Sequence, residues 1–396
     1  TISLSGGTDS TTSTAVSTST GTDTLINAEF AYGSDFGDSV TIASNFSNRQ
    51  NPNGFFEFEG GGGNDTLVNN GTGVARVGYR LASDGVTVDL EAGTATSSNP
   101  DDSAGIGNDT FSGVRQVRGS DFGDTLLGSS QNNQFRPRGG NDTIDGRGGL
   151  GDQVRYSGAT GDVIIDLGSD NQTTQVTTTA DGFGGTDTLI RIEQIRSGSG
   201  NDQLTGDVNN NFLRGGDGND ILNGKDGNDL LQGDAGDDTL IGGFGDNTLR
   251  GGAGNDTLSG AATFQNRAVD FNRIDYRDAL DGVTITLSGG TGSASSTAVS
   301  VSTGTDTLIN AEFAYGSAFA DSVIIESSFA NRQGANGWFE FEGGGGDDSL
   351  VNNGSGVARV GYRTALDGVT VDLEAGTASS STGTAAGIGN DTFSGV

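Results

Sequence analysis

From residue 197 to 259 the apolar positions follow a period that fits neither a helix nor an ordinary strand. Leucine returns at every ninth residue, at Leu204, Leu213, Leu222, Leu231, Leu240, Leu249 and Leu258. The residues between are polar and rich in glycine, and Gly215-Gly216-Asp217-Gly218-Asn219-Asp220-Ile221-Leu222-Asn223 is the cleanest unit. Glycines interrupt most nine-residue windows too often for a helix. The unbroken leucine column excludes a flexible glycine/serine linker. Each unit reads as a glycine-rich turn followed by a short extended x-Leu-x segment with leucine inward and its neighbours outward. Two units then make one flattened coil, and successive coils stack their short strands in parallel.

Outside this block a period of two takes over. Val86-Thr87-Val88-Asp89-Leu90 alternates apolar with polar, as do Val163 to Leu167, Val283 to Leu287 and Val369 to Leu373, each preceded by a tyrosine at Tyr79, Tyr156, Tyr276 or Tyr362. β-branched alternation of this kind predicts strands. A Ser/Thr/Gly-rich loop follows, then a Gly-x-Asp-Thr turn at Asp109, Asp187, Asp306 and Asp391, with a further one at Asp23. Phe30 and Tyr32 alternate with Glu29 and Ala31 as in a half-buried strand. Phe55-Phe56-Glu57-Phe58 and Trp338-Phe339-Glu340-Phe341 read as strands with two rings on the core face, and the Ser/Thr-rich stretch Thr8 to Thr22 reads as a solvated loop.

A larger repeat organises these pieces. Leu4 to Val114 recurs almost verbatim as Leu287 to Val396, with Gly21 returning as Gly304 at an offset of 283. The chain thus reads as a slice of a longer tandem array. The expected modules are 1–78, a β module with a short acidic turn; 79–155, a β module with nonapeptides; 156–275, with the seven contiguous nonapeptides; 276–361, a second copy of 1–78; and 362–396, a truncated second copy of 79–155. The expected class is all-β, a parallel β-roll or β-solenoid of nonapeptide repeats with intervening strand modules.

Composition sharpens the question of what holds such a chain together. Glycine fills 71 positions, apolar residues only 31% and proline 3. Little can be buried, and glycine loses the most entropy on ordering. Asp and Glu number 52 against 20 Lys and Arg, a net charge of −32, which makes nucleic acid and anionic membranes poor partners. Cysteine, histidine and methionine are absent, which removes disulfides, the usual zinc, copper and haem ligands, and histidine-assisted nucleophiles. No apolar run approaches membrane-spanning length, and Thr1 opens directly into a strand-like segment without a leader pattern.

The acidic residues share the leucines' phase. The sixth position of the nonapeptides reads Asp202, Asn211, Asp220, Asp229, Asp238, Asn247 and Asp256. With two units per coil, Asp202, Asp220, Asp238 and Asp256 fall on one edge, and Asn211, Asp229 and Asn247 on the other. Stacked carboxylates repel unless a cation lies between them. Aspartate oxygens with glycine-turn carbonyls form the hard-oxygen set that suits calcium. The candidate ligands in this block are those aspartates with the turn glycines Gly215, Gly218, Gly224, Gly233, Gly236 and Gly251. Matching acidic turns add Asp65, Asp109, Asp124, Asp142, Asp152, Asp187 and Asp348, Asp152 after a one-residue insertion. The leucines alone return less than the backbone entropy of the block, so the segment is expected to stay disordered without calcium.

The pattern Gly-Gly-x-Gly-x-Asp-x-Leu-x resembles the haemolysin-type calcium-binding repeats of RTX proteins, most fully across Ser197 to Ser259, well across Gly119 to Asp145, and in single copies at Gly60 and Gly343. The connecting segments are similar to those of long bacterial surface proteins. The resemblance implies a right-handed parallel β-roll with calcium between the turns of repeats n and n+2, type I secretion and folding triggered by external calcium. Asn211 and Asn247 depart from the ligand aspartate, and Val208 and Asn209 replace glycines of their turn.

Other chemistries fit poorly. An EF-hand loop beginning at Asp207 would need glycine where Phe212 stands, and the only lysine, Lys225, precedes Asp226 rather than Ser or Thr. Carboxylate pairs are uninformative among 52 acidic residues, so no catalysis is expected. The reading is an extracellular, calcium-binding structural or adhesive protein (stalk, surface layer or filament) that self-associates or meets a cell-surface glycan or receptor. The alternative is the calcium-binding secretion module of a toxin or hydrolase.

Overall fold

A computed structural model describes residues 1–6, 13–17, 21–47, 54–170, 172, 175–260, 271–290, 296–329, 338–366, 368–380 and 388–396. Every regular element among them is a strand. The chain divides into two compact units, Thr1–Arg196 and Ser197–Val396.

In the second unit the nonapeptides do what their period requires. Gln203–Thr205, Ile221–Asn223, Thr239–Ile241 and Thr257–Ser259 stack in parallel, pairing Leu204 with Leu222, Leu222 with Leu240 and Leu240 with Leu258. The alternate units form a second parallel stack, Phe212–Asp217, Leu230–Ala235 and Thr248–Ala253, pairing Leu213 with Leu231 and Leu231 with Leu249. All seven leucines have 0% exposure. Two nonapeptides per coil is therefore the observed register, and the fold is a parallel β-roll. Beyond the nonapeptides the same stacks continue through Arg273–Asp275, Phe313–Tyr315, Trp338–Glu342 and Val357–Val360 on one side. Gly304–Ile309 continues the other side.

The first unit is built alike. Phe30–Tyr32, Phe55–Glu59, Val74–Gly78, Gln116–Arg118, Gln134–Arg136, Gln153–Arg155 and Gln194–Arg196 form one parallel stack. Thr125–Leu127, Thr143–Asp145 and Thr188–Ile190 stack in parallel on Val86–Asp89. The period-two segments behave differently from the nonapeptides. Val86–Asp89 pairs antiparallel with Thr94–Ser97, which pairs antiparallel with Asn108–Ser112. Thr284–Leu287, Ser296–Ser300 and Gly304–Ile309 repeat this meander in the second unit. Each meander is an excursion from the coil, closed by a strand that rejoins a parallel stack.

One expectation is corrected here. Within the stretch read as a solvated loop, Ser13–Ser17 is a strand, paired antiparallel with Ile2–Leu4 and with Gly21–Leu25. Thr14-Ala15-Val16, flanked by Ser13 and Ser17, suits a pleated surface when a partner strand lies on each side. Residues 8–12 and 18–20 of that stretch lie outside the described residues. The aromatic strands follow the expected phase. Phe56 and Phe58 are buried inward, as are Phe339 and Phe341. Phe55 and Trp338 take the opposite face.

Truncating an inward leucine removes packing that nothing else supplies. Leu231→Ala should cost about 2–5 kcal/mol in chemical denaturation of the calcium-loaded chain. Ile221→Ala, at the 47% exposed position beside the inward Leu222, should cost well under half as much.

Candidate metal centre

Each turn ends on its sixth-position residue just before a short strand, and that side chain folds back beneath the turn. The parallel register then brings residues eighteen apart into contact. Asp202 donates its backbone N–H to Oδ1 of Asp220 at 2.7 Å, Asp220 to Asp238 at 2.8 Å, and Asp238 to Asp256 at 2.9 Å. On the other edge Asn211 donates to Asp229 at 2.8 Å and Asp229 to Oδ1 of Asn247 at 2.9 Å. The first unit repeats the ladder, Asp38 to Asp65, Asp65 to Asp109, Asp124 to Asp142 and Asp142 to Asp187. Asp321 donates to Asp348 and Asp348 to Asp391 in the second. One carboxylate oxygen is thereby committed to the backbone.

The fate of the second oxygen sorts the aspartates into three kinds. In Asp65, Asp142, Asp229, Asp238, Asp256 and Asp348, Oδ2 is buried and accepts no hydrogen bond. In Asp124 it takes the N–H of Ser120 at 2.7 Å, while Oδ1 takes the Ser120 hydroxyl and the N–H of Val86. Asp321 is held likewise by Ser317 and Val283. In Asp187 it accepts the hydroxyl of Tyr156 at 2.8 Å, as Asp306 accepts that of Tyr276. Tyr79 and Tyr362 donate to Asp109 and Asp391. Asp152 accepts the N–H of Asn133 at 2.6 Å and donates its own to Glu193. Asp202 and Asp220, at 0% and 1% exposure, lie within the roll and not in bulk water.

The turn glycines explain themselves by what a Cβ would strike. At Gly215, Gly224, Gly233 and Gly251 it would overlap Oδ2 of Asp220, Asp229, Asp238 and Asp256. At Gly224 and Gly233 it would also meet the carbonyl oxygen of Gly242 and Gly251 in the next coil. A carboxylate oxygen and a main-chain carbonyl thus point into one small space. Gly218 and Gly236 have φ of +118° and +130° against the carbonyls of the preceding coil, where a side chain would be strained as well as crowded.

Unshared negative charge here is costly. Burial, foremost, pushes the carboxyls of Asp229, Asp238 and Asp348 up to about 8 and that of Asp142 to about 9. Asp256 rises to about 7, with Asp306 and Asp237 adding repulsion. The donor set is oxygen only, which fits calcium rather than zinc or copper. Among the described residues no three carboxylates converge on one point, so each centre would draw on one or two carboxylates, with backbone carbonyls or water completing it.

The fifth position was not anticipated. Asn219 donates its N–H to Oδ1 of Asn201, Asp237 to Asn219 and Asn255 to Asp237, each across eighteen residues. The signal was present as an Asn/Asp column immediately before the sixth-position aspartates. The serine and tyrosine partners were also legible, as Gly-Ser in place of Gly-Gly and as a tyrosine about thirty residues before its aspartate.

Comparison with known families agrees with this geometry. Residues 118–150, 196–231 and 232–262 match the RTX calcium-binding nonapeptide repeat. No curated protein matches the chain.

The raised carboxyls set a direction for stability. Their folded values exceed the unfolded value near 3.8, so in metal-free protein they hold protons that the unfolded chain releases. Their contribution is full below about pH 4 and is lost as pH rises through about 7 to 9. In chelator, the β-signal of far-ultraviolet circular dichroism should fall from pH 4.5 to pH 9. With saturating calcium, which competes with those protons, the fall should vanish or reverse.

Proposed function

Because the chain carries RTX calcium-binding nonapeptide repeats, we propose that calcium completes its fold and that the calcium-loaded chain serves an extracellular structural or adhesive role. The observation that carries this is the set of buried second oxygens at Asp65, Asp142, Asp229, Asp238, Asp256 and Asp348. A divalent cation there would neutralise carboxylates that burial otherwise disfavours, and it would tie one coil to the next through glycine carbonyls. Asp202 and Asp220 continue the Asp238 and Asp256 column and belong with this set. Asp124, Asp109 and Asp187 are better read as metal-free rungs, since a backbone N–H from a neighbouring segment together with serine or tyrosine already serves both oxygens. They keep the ladder continuous where the nonapeptides give way to meanders.

RTX repeats are typical of secreted proteins, and no described helix is long and apolar enough to cross a membrane. Low calcium inside a cell would leave the glycine-rich chain unfolded for export, and high calcium outside would fold it. The 283-residue tandem repeat favours a load-bearing array over a single accessory module, because stacked repeats lengthen without a growing core. A non-catalytic role accords with this.

Far-ultraviolet circular dichroism of the full chain, titrated with calcium and then chelator, should show a reversible, cooperative gain of β-structure. An unchanged spectrum would remove the proposal. Asp238→Asn should lower the number of tightly bound calcium ions in calorimetry by at least one. Asp124→Asn should leave that number unchanged.

A further inference from the structure

Four strands of the first unit share one short sequence: Gln116-Val117-Arg118, Gln134-Phe135-Arg136, Gln153-Val154-Arg155 and Gln194-Ile195-Arg196. The middle residue is buried at 0% exposure in all four, so the glutamine and arginine of each lie on the outer face. Parallel register sets Gln116 beside Gln134 with Arg118 beside Arg136, and Gln153 beside Gln194 with Arg155 beside Arg196. Gln134 beside Gln153 joins the two pairs. The result is a column of four guanidinium groups next to a column of four amides, repeating at the strand spacing of about 4.8 Å.

Such a column is unexpected in a chain of net charge −32 with only 20 basic residues. Aligned like charges oppose one another unless something shares them. Arg118 reaches Glu57 at 2.9 Å at one end. Among the described residues no hydrogen bond or ion pair holds Arg136, and its Nε is buried without an acceptor. Burial, foremost, and the neighbouring arginines lower its pKa to about 9. The glutamines are held in line by one another, Gln134 donating to Gln153 at 2.7 Å and Gln153 to Gln194 at 3.2 Å. The face is ordered, and within it Arg136 has no carboxylate in hydrogen-bond or ion-pair contact among the described residues.

We propose that this ladder binds an acidic polysaccharide, a chain of uronic acid units lying along the stack of coils. An extended polyuronate offers one carboxylate per sugar at roughly the strand spacing, with hydroxyls between that suit the amide column. Planar guanidinium groups bind carboxylates bidentately. Nucleic acid is disfavoured because single strands need aromatic platforms and duplexes need wide basic surface. The four ladder strands turn no ring outward, and acidic residues dominate the rest of the chain. This deepens the adhesive reading by naming what would be held, and it does not depend on where calcium binds.

The test is calorimetric titration of the calcium-loaded full chain, at fixed free calcium, with a galacturonate decamer, a neutral galactose decamer and a thymidylate decamer. The uronate should bind saturably, at least tenfold more tightly than either control, and weaken with added salt. The Arg136→Gln/Arg155→Gln variant, which extends the existing amide chemistry, should lose at least tenfold in uronate affinity while keeping its calcium-induced circular dichroism. Absent binding, tighter binding of thymidylate, or undiminished binding by the variant (as calcium bridging alone would give) each overturns the proposal. Loss of the calcium response in the parent chain would instead strike the calcium reading.

Discussion

A buried aspartate that gives one oxygen to the backbone of the adjacent coil is the interaction on which this molecule rests. The N–H to Oδ1 contact recurs every coil, from Asp202 through Asp256 and from Asp38 through Asp109. It does two things at once. It fixes the register of one turn on the next, because only an eighteen-residue offset aligns donor and acceptor within the nonapeptides. It also drags a charged group out of water, which folding tolerates only if the charge is neutralised or shared. The glycines are the steric condition for this arrangement, since any Cβ at Gly215 or Gly233 would occupy the space of the carboxylate itself.

The three fates of the second oxygen show how one motif meets that cost in different ways. A serine N–H meets it at Asp124 and Asp321, a core tyrosine hydroxyl meets it at Asp187 and Asp306, and at Asp229, Asp238 and Asp256 of the true nonapeptides no hydrogen bond reaches it. A roll made only of the last kind would depend wholly on an external ion. Interleaving the other two gives each unit rungs that stand without one.

Much of this is legible in the sequence itself. The leucine column dictated both the short strands and the two-unit coil, because a nine-residue period with one inward side chain has few other solutions. The sixth-position aspartates could be assigned to two edges from the same arithmetic. What stayed hidden was partnership across long separations. Tyr156 and Ser120 leave a trace as residue types at recurring places in the repeat, but nothing local says that they donate to Asp187 and Asp124. The strand at Ser13–Ser17 was missed because its pairing comes from flanking segments and not from its own hydrophobicity. Net charge misled in a similar way. A chain-wide average of −32 carries no information about four arginines that the register places on one face.

The antiparallel meanders have a bearing on how such a chain can vary. Because Thr94–Ser97 and Ser296–Ser300 sit in excursions that begin and end on the same stack, the tips of these hairpins can gain or lose residues without shifting the phase of the coils on either side. The one-residue difference between the two long copies falls beyond Thr94–Ser97, before the chain rejoins the roll at Asn108–Ser112. Recombination between near-identical periods would therefore yield progeny of different lengths and decorations whose frame of stacking is preserved, which makes this architecture unusually forgiving of genetic slippage.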